Sequence, residues 1–288
     1  MNLSGHFAYQ LGADEDFLDD GGKYGMLVKV VAVQSRLGQK LTLEEQLLIF
    51  KQRPDFTCLP EYSFIDESTP DFAHAAYPID ENLKYLRDLS EAFATCLIGG
   101  SVVEAEGDFL HNSSYVFNRG QFLGKYRKLN PVAGELRKGI IPGDGIFTTE
   151  VDAVKIGIMI CADALNTNLF QTIAKDEVDI IFIPTTSPYR PDERTAEKFR
   201  RDNDIYVRAS QISSSYIVKT CAVGSLFGRP LQGRSLIASP WGILRRVEPH
   251  AELSRHILTA VVDVDEIRDF RSKKYLCEQK KDTPKSVL

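Results

Sequence analysis

The chain has 288 residues, 43% of them apolar and 26% charged, which is the ordinary balance of a soluble globular protein. Its net charge of −5 argues against general nucleic-acid binding, and no run approaches the ~18 apolar residues that a membrane-spanning helix needs. Five dispersed cysteines suit a reducing cytoplasm, and the histidines are scattered with no Cys-x-x-Cys pair, so neither a metal site nor a cofactor is expected.

Residues 1–25 include the acidic stretch ADEDFLDD, where a secretory leader would be basic and then apolar, and they read as an extension ahead of the folded domain. Apolar, β-rich runs predict strands near 27–34, 56–60, 97–104, 112–118, 121–128, 155–161, 179–186, 215–223, 234–239, 243–247 and 257–263. Helices fit 41–52, 82–96, 166–176 and 193–211. In the second of these, Leu83, Leu86, Leu89, Ala92 and Phe93 recur at steps of three and four, giving one apolar face for a sheet. No linker, repeat or low-complexity tract divides the chain. A single layered α/β domain is expected, followed by a basic, polar tail that reads as solvated.

Three reactive side chains fall where predicted strands end, and ligands of α/β sheets bind beyond the carboxyl ends of strands. In DFTCLPEYSF, Pro60 removes a ladder donor and Glu61 emerges just after it. In NSSYVFNRGQFLGKYRKLNP, the Asn118-Arg119-Gly120 turn joins two β runs, and Lys128 closes the second. In KIGIMICADALN, an apolar run stops at Cys161. Each has a bland reading alone: a small buried hydrophobe for Cys161, a loop cap for Glu61, a solvated edge charge for Lys128. Together they make a workable set. A free thiol has a pKa of about 8.5, so a base must take its proton; Glu61 can do this and return the proton to a leaving nitrogen. Lys128 can face the oxygen that becomes negative when sulfur attacks a carbonyl. Cys58, Cys96 and Cys221 lie in apolar runs and read as packing residues, whereas Cys277 reads as exposed. Asp163 suits a helix N-cap, because Ala162 to Phe170 reads as a turn into a helix.

Ordered signposts then carry a resemblance: VVAVQ (30–34), LPEYSF (59–64), GGSVVE (99–104), GKYRKLNP (124–131), PGDG (142–145), IGIMICAD (156–163), DIIFIPTTSP (179–188), GRS (233–235) and SPWGILRR (239–246). The chain resembles the nitrilase superfamily, the carbon–nitrogen hydrolases with a Glu-Lys-Cys triad. This resemblance spans 26–265 and leaves 266–288 as the tail. It implies Glu61 as base, Lys128 as oxyanion stabiliser, Cys161 as nucleophile and Glu135 as a second, structural glutamate. It also implies a four-layer α-β-β-α sandwich of two mixed β-sheets. Dimers or higher homo-oligomers would form by stacking the helical faces around 165–176 and 193–211, and the tail could become an arm to a second subunit.

Two departures bear on substrate. Ala162 and Asp163 follow the cysteine, where many amidase branches place an aromatic residue and then Asp, and nitrile-hydrolysing branches Trp-Glu. KLNPVAGE, by contrast, resembles the short Lys-to-Glu spacing of the nitrile-hydrolysing branch. Asp163 tips the expectation toward an amidase that releases ammonia from a small amide through a Cys161 thioester. A nitrilase, or a catalytically idle binding protein on the same scaffold, are the alternatives. Tyr62, Asn130, Ala162, Asp163, Thr185, Thr186 and Ser187 follow the relevant strand ends and are expected to line the substrate pocket, with Arg190 placed to receive a carboxylate.

Overall fold

Alternating side chains on central strands set the layering. In the computed structural model, which describes residues 25–282, the first sheet has seven strands. Their spatial order is His256–Asp263, Leu27–Gln34, Phe56–Cys58, Cys96–Ile98, Phe109–Asn118 and Val102–Glu106, with Gln121–Arg127 also paired to Phe109–Asn118. The second has six, ordered Gly242–Arg246, Leu236–Ser239, Tyr216–Cys221, Ile180–Thr185, Val154–Ile158 and Phe147–Val151. Both sheets are mixed: Phe56–Cys58 runs parallel to its two neighbours, as does Ile180–Thr185, while the outer pairings are antiparallel.

Ala32, Cys58, Ile98 and Val116 of one sheet pack against Ile156, Ile158, Phe182 and Val218 of the other. The opposite face of the first sheet (Val31, Val33, Leu97, Phe117) is covered by Ile49 of helix Leu43–Gln52 and by Leu86 and Leu89 of Ile79–Ala92. That of the second (Ile181, Ile183, Ile217, Leu236) is covered by Phe170 and Ile173 of Thr167–Ala174 and Ala209 of Arg208–Ser213. The result is the four-layer α-β-β-α sandwich. Among the described residues, no helix is long and apolar enough to cross a membrane.

The structure departs from the sequence reading at particular points. The strand expected over 97–104 is two strands, broken at Gly99-Gly100. Gly100 has φ +67°, and a Cβ there would sit 2.0 Å from the Pro60 carbonyl oxygen. The close approach fixes the turn that carries Glu61. The helix expected over 193–211 is Thr195–Asp202 and Arg208–Ser213, joined by a π-helical turn at Asn203–Val207. The stretch read as a solvated tail is helix Val264–Asp282, and Arg268 and Arg271 reach the buried Asp179 at 2.7 and 3.2 Å. The extension expected over the first 25 residues lies, but for its last residue, outside the described residues.

Candidate active site

Pro60 has no N–H to extend the ladder, and the chain reverses at Tyr62, a non-glycine residue with φ +56°. Ser101 Oγ accepts from the Tyr62 N–H at 3.0 Å, and Ser63 Oγ donates to the Pro60 carbonyl at 2.6 Å. Glu61 is thereby driven inward and is fully buried. Its Oε1 accepts from Lys128 Nζ at 2.8 Å and Asn112 Nδ2 at 2.9 Å; its Oε2 accepts from the Thr186 N–H at 2.8 Å and Thr186 Oγ1 at 2.5 Å.

Lys128 follows Gln121–Arg127, is 2% exposed, and donates from its main-chain N–H to the Asn112 carbonyl at 2.9 Å. Its Nζ also meets both oxygens of Glu135, at 2.9 and 2.8 Å. Glu135 sits on the short helix Ala133–Leu136 and accepts from its own helix start, the Val132 N–H, at 2.7 Å. Tyr62 Oη and Asn112 Nδ2 complete its shell at 2.5 and 3.1 Å. Two carboxylates and one ammonium thus share a dry volume. Burial pushes the Lys128 pKa down, but Glu61 foremost, with Cys161 and Glu135, holds it well above the usual lysine value.

The strand Val154–Ile158 ends short of the cysteine; the Met159 N–H still bonds the Phe182 carbonyl at 3.0 Å, and Cys161 opens a 3₁₀ turn over Cys161–Leu165. Cys161 has φ +48°, a left-handed conformation held in place by its surroundings. Those surroundings centre on Asp163, whose Oδ2 accepts from the Ile160 N–H at 2.9 Å and Tyr126 Oη at 2.8 Å. Its Oδ1 accepts from the Asn130 N–H at 2.7 Å and Asn130 Nδ2 at 2.8 Å. The thiol is half-buried and donates to the Thr186 carbonyl at 3.4 Å instead of to Glu61 directly. Burial first, then Glu61, drives its pKa up by more than Lys128 draws it down, so the resting group is a protonated thiol.

Five of the sequence-derived residues therefore converge: Glu61, Lys128, Glu135 and Cys161, with Thr186 bonded to both Glu61 and Cys161. Several pocket-wall expectations are corrected. Tyr62 turns inward, because its left-handed backbone points the ring onto Phe72 (centroids 5.1 Å apart) and the hydroxyl onto Glu135. Thr185 is buried in its strand, its hydroxyl on the Ile183 carbonyl. Asp163 has both oxygens occupied by protein donors, and Asn130 is one of those donors. Ala162 and Ser187 are half-exposed beside the cysteine and Thr186, whereas Arg190 is exposed on the following loop. Sequence reasoning missed Asn112, which bridges the two glutamates, and Tyr126. A signal existed: His111, Asn112, Ser113 and Ser114 are four consecutive polar residues inside a strand, and all are buried.

Comparison with known proteins shows the family and the fold. Residues 29–272 match the carbon–nitrogen hydrolase family model, and the chain belongs to that family. It is similar to a protein named nitrilase from Pyrococcus abyssi, 27% identical over 226 residues that span 77% of each chain. It is also similar to an omega-amidase of Mus musculus, 26% identical over 249 residues that span 80% of this chain and 84% of that one. In fold, a carbon–nitrogen hydrolase from Helicobacter pylori G27 matches with a TM-score of 0.75 at 20% identity, covering 91% of this chain and 98% of that chain.

Proposed function

We propose that the chain hydrolyses a small non-peptide amide through a thioester on Cys161, releasing ammonia. The observation that carries this reading is the buried Glu61–Lys128–Glu135 ion cluster meeting the half-exposed thiol at Thr186. Glu61 takes the thiol proton as sulfur attacks the amide carbon, and the carbonyl electron pair moves onto oxygen. Lys128 and the Ala162 main-chain N–H stabilise that oxyanion. Protonated Glu61 then delivers its proton to nitrogen, the C–N bond breaks, and ammonia leaves. Water, deprotonated by Glu61, attacks the thioester; the C–S bond breaks and the thiol regains its proton. Glu135 keeps Lys128 charged throughout: an opposite-charge pair at ~4 Å interacts by roughly 4 kcal/mol at an effective dielectric near 20.

The relative named nitrilase supports a second reading, in which the substrate is a nitrile. Ammonia release from matched pairs such as butyramide and butyronitrile separates the two. The amides are expected to turn over; turnover of nitriles alone would replace the amidase reading by the nitrilase one.

A further inference from the structure

Glu61 is the base in the proposed steps, yet neither of its oxygens has a free place for another proton. A carboxylate offers about four lone-pair sites, two on each oxygen. Oε1 takes Lys128 Nζ and Asn112 Nδ2, and Oε2 takes the Thr186 N–H and Thr186 Oγ1, so four donors fill them. The thiol is not one of these donors, because it meets the Thr186 carbonyl at 3.4 Å. Burial keeps that thiol protonated, so its proton has to reach a carboxylate that is saturated and bonded elsewhere. One of the four donors must give way before sulfur can react.

Three of the four are fixed. Lys128 Nζ is held by both oxygens of Glu135, and withdrawing it from Glu61 would leave a buried carboxylate without its cation. Asn112 Nδ2 is tied to Glu135 as well, and a carboxamide N–H does not give up its proton. The Thr186 N–H is main chain, and its neighbours are pinned on both sides. The Ala222 N–H bonds the Thr185 carbonyl at 3.0 Å, and the Gln232 N–H bonds the Ser187 carbonyl at 2.9 Å. The Thr186 hydroxyl differs from these three. It rotates about its own C–O bond, and one oxygen serves as both donor and acceptor. At 2.5 Å from Oε2 it is also the closest of the four. Thr186 is half-exposed, like Cys161, whereas Glu61, Lys128 and Glu135 are buried, so the hydroxyl stands between the accessible thiol and the dry ion cluster.

We infer that the Thr186 hydroxyl relays the thiol proton to Glu61 and later carries a proton back to the leaving nitrogen. This rests on the amidase reading. In the first passage the S–H bond breaks as its proton bonds Oγ1, while the Oγ1–H bond breaks and that proton bonds Oε2. Sulfur keeps the electron pair with which it attacks the carbonyl carbon. In the second passage Oε2 returns its proton to Oγ1 as Oγ1 passes its own to nitrogen, and the C–N bond breaks with its electron pair on nitrogen. Threonine ends each passage unchanged.

The test compares the wild-type chain with Thr186→Val, which removes the hydroxyl, and Thr186→Ser, which keeps it. Amide kcat/KM covers every step up to C–N cleavage and is expected to fall by about 100-fold in Thr186→Val, the lower end of what a positioned acid–base group contributes. Thr186→Ser should recover most of that loss, and KM should change little in either variant. The proton inventory of kcat/KM, taken in mixtures of light and heavy water, should bow in wild type, where two protons move together, and straighten in Thr186→Val. Equal shapes, or a folded Thr186→Val enzyme as active as wild type, overturn the relay. A straight inventory in wild type overturns it whether or not Thr186→Val folds. A second arm needs no amide turnover: p-nitrophenyl acetate acylates a thiol and its leaving group needs no proton, so the p-nitrophenolate burst reports the first passage alone. The burst rate should fall in Thr186→Val and recover in Thr186→Ser. If no amide is hydrolysed but the burst behaves in this way, the amidase reading fails and the relay stands. Amide hydrolysis with a burst unchanged in Thr186→Val removes the relay and leaves the amidase reading.

Discussion

Lys128→Met is expected to destabilise the protein by about 3–5 kcal/mol, because it removes the cation that, among the described residues, Glu61 and Glu135 share and leaves two buried carboxylates facing each other. For a domain of this size the loss corresponds to a fall in melting temperature on the order of 10 °C. The pH dependence has a definite sign. In the variant the two buried carboxylates repel each other with no ammonium between them, so adding a proton relieves the folded state more than the unfolded one. The deficit relative to wild type should therefore shrink as pH falls below about 5, near the unfolded carboxyl values, and be fully present at neutral pH. Thermal melts of both proteins across that range check it. A melting temperature equal to wild type at neutral pH would mean that the ion cluster is not what balances the two acids.

The second large effect is on chemistry. Cys161→Ala should lower turnover by ~10⁴-fold or more, the scale seen when a nucleophile is deleted from a catalytic unit. Stability should change little, since the side chain is small and half-exposed. Alkylation of the wild-type thiol should behave accordingly. Because burial and Glu61 raise the Cys161 pKa, the rate of reaction with iodoacetamide should climb with pH through the alkaline range, with no plateau near neutrality. A neutral plateau would reveal a preformed thiolate and would remove the need for Glu61 as base.

The candidate-site residues were legible as a set, because each falls where a local signal ends a strand. Pro60 stops a strand before Glu61, Pro131 follows Lys128, and the run Ile156–Ile160 breaks at Cys161. A layered α/β domain was legible from the strand and helix patterns, as central strands carry apolar residues toward both neighbours, whereas the four layers followed only from the family resemblance. What escaped depends on backbone geometry or on distant partners. Tyr62 was assigned to the pocket because it follows a strand end, whereas φ +56° turns this one inward. Of the hairpin Phe147–Val151 and Val154–Ile158, only the second strand was expected. Its turn residues, Asp152 and Ala153, both have positive φ yet lack the Asn-Gly or Asp-Gly signature. The C-terminal helix is tied to the sheet by Arg268 and Arg271 on Asp179, some ninety positions earlier in the chain, so nothing local announced it. Asn112 was hidden by its strand: a polar residue there reads as solvent-facing until the second glutamate is seen on its other side.

The central claim is that sulfur at position 161 carries the acyl group between the two halves of the reaction. Acid-quenching the enzyme during steady turnover of an amide, then weighing its peptides, tests this most directly. The account predicts the added mass of the acyl group on the peptide containing Cys161, labile to hydroxylamine and missing from the Cys161→Ala protein. An acyl group held on any other residue, or undiminished ammonia release by Cys161→Ala, would contradict it.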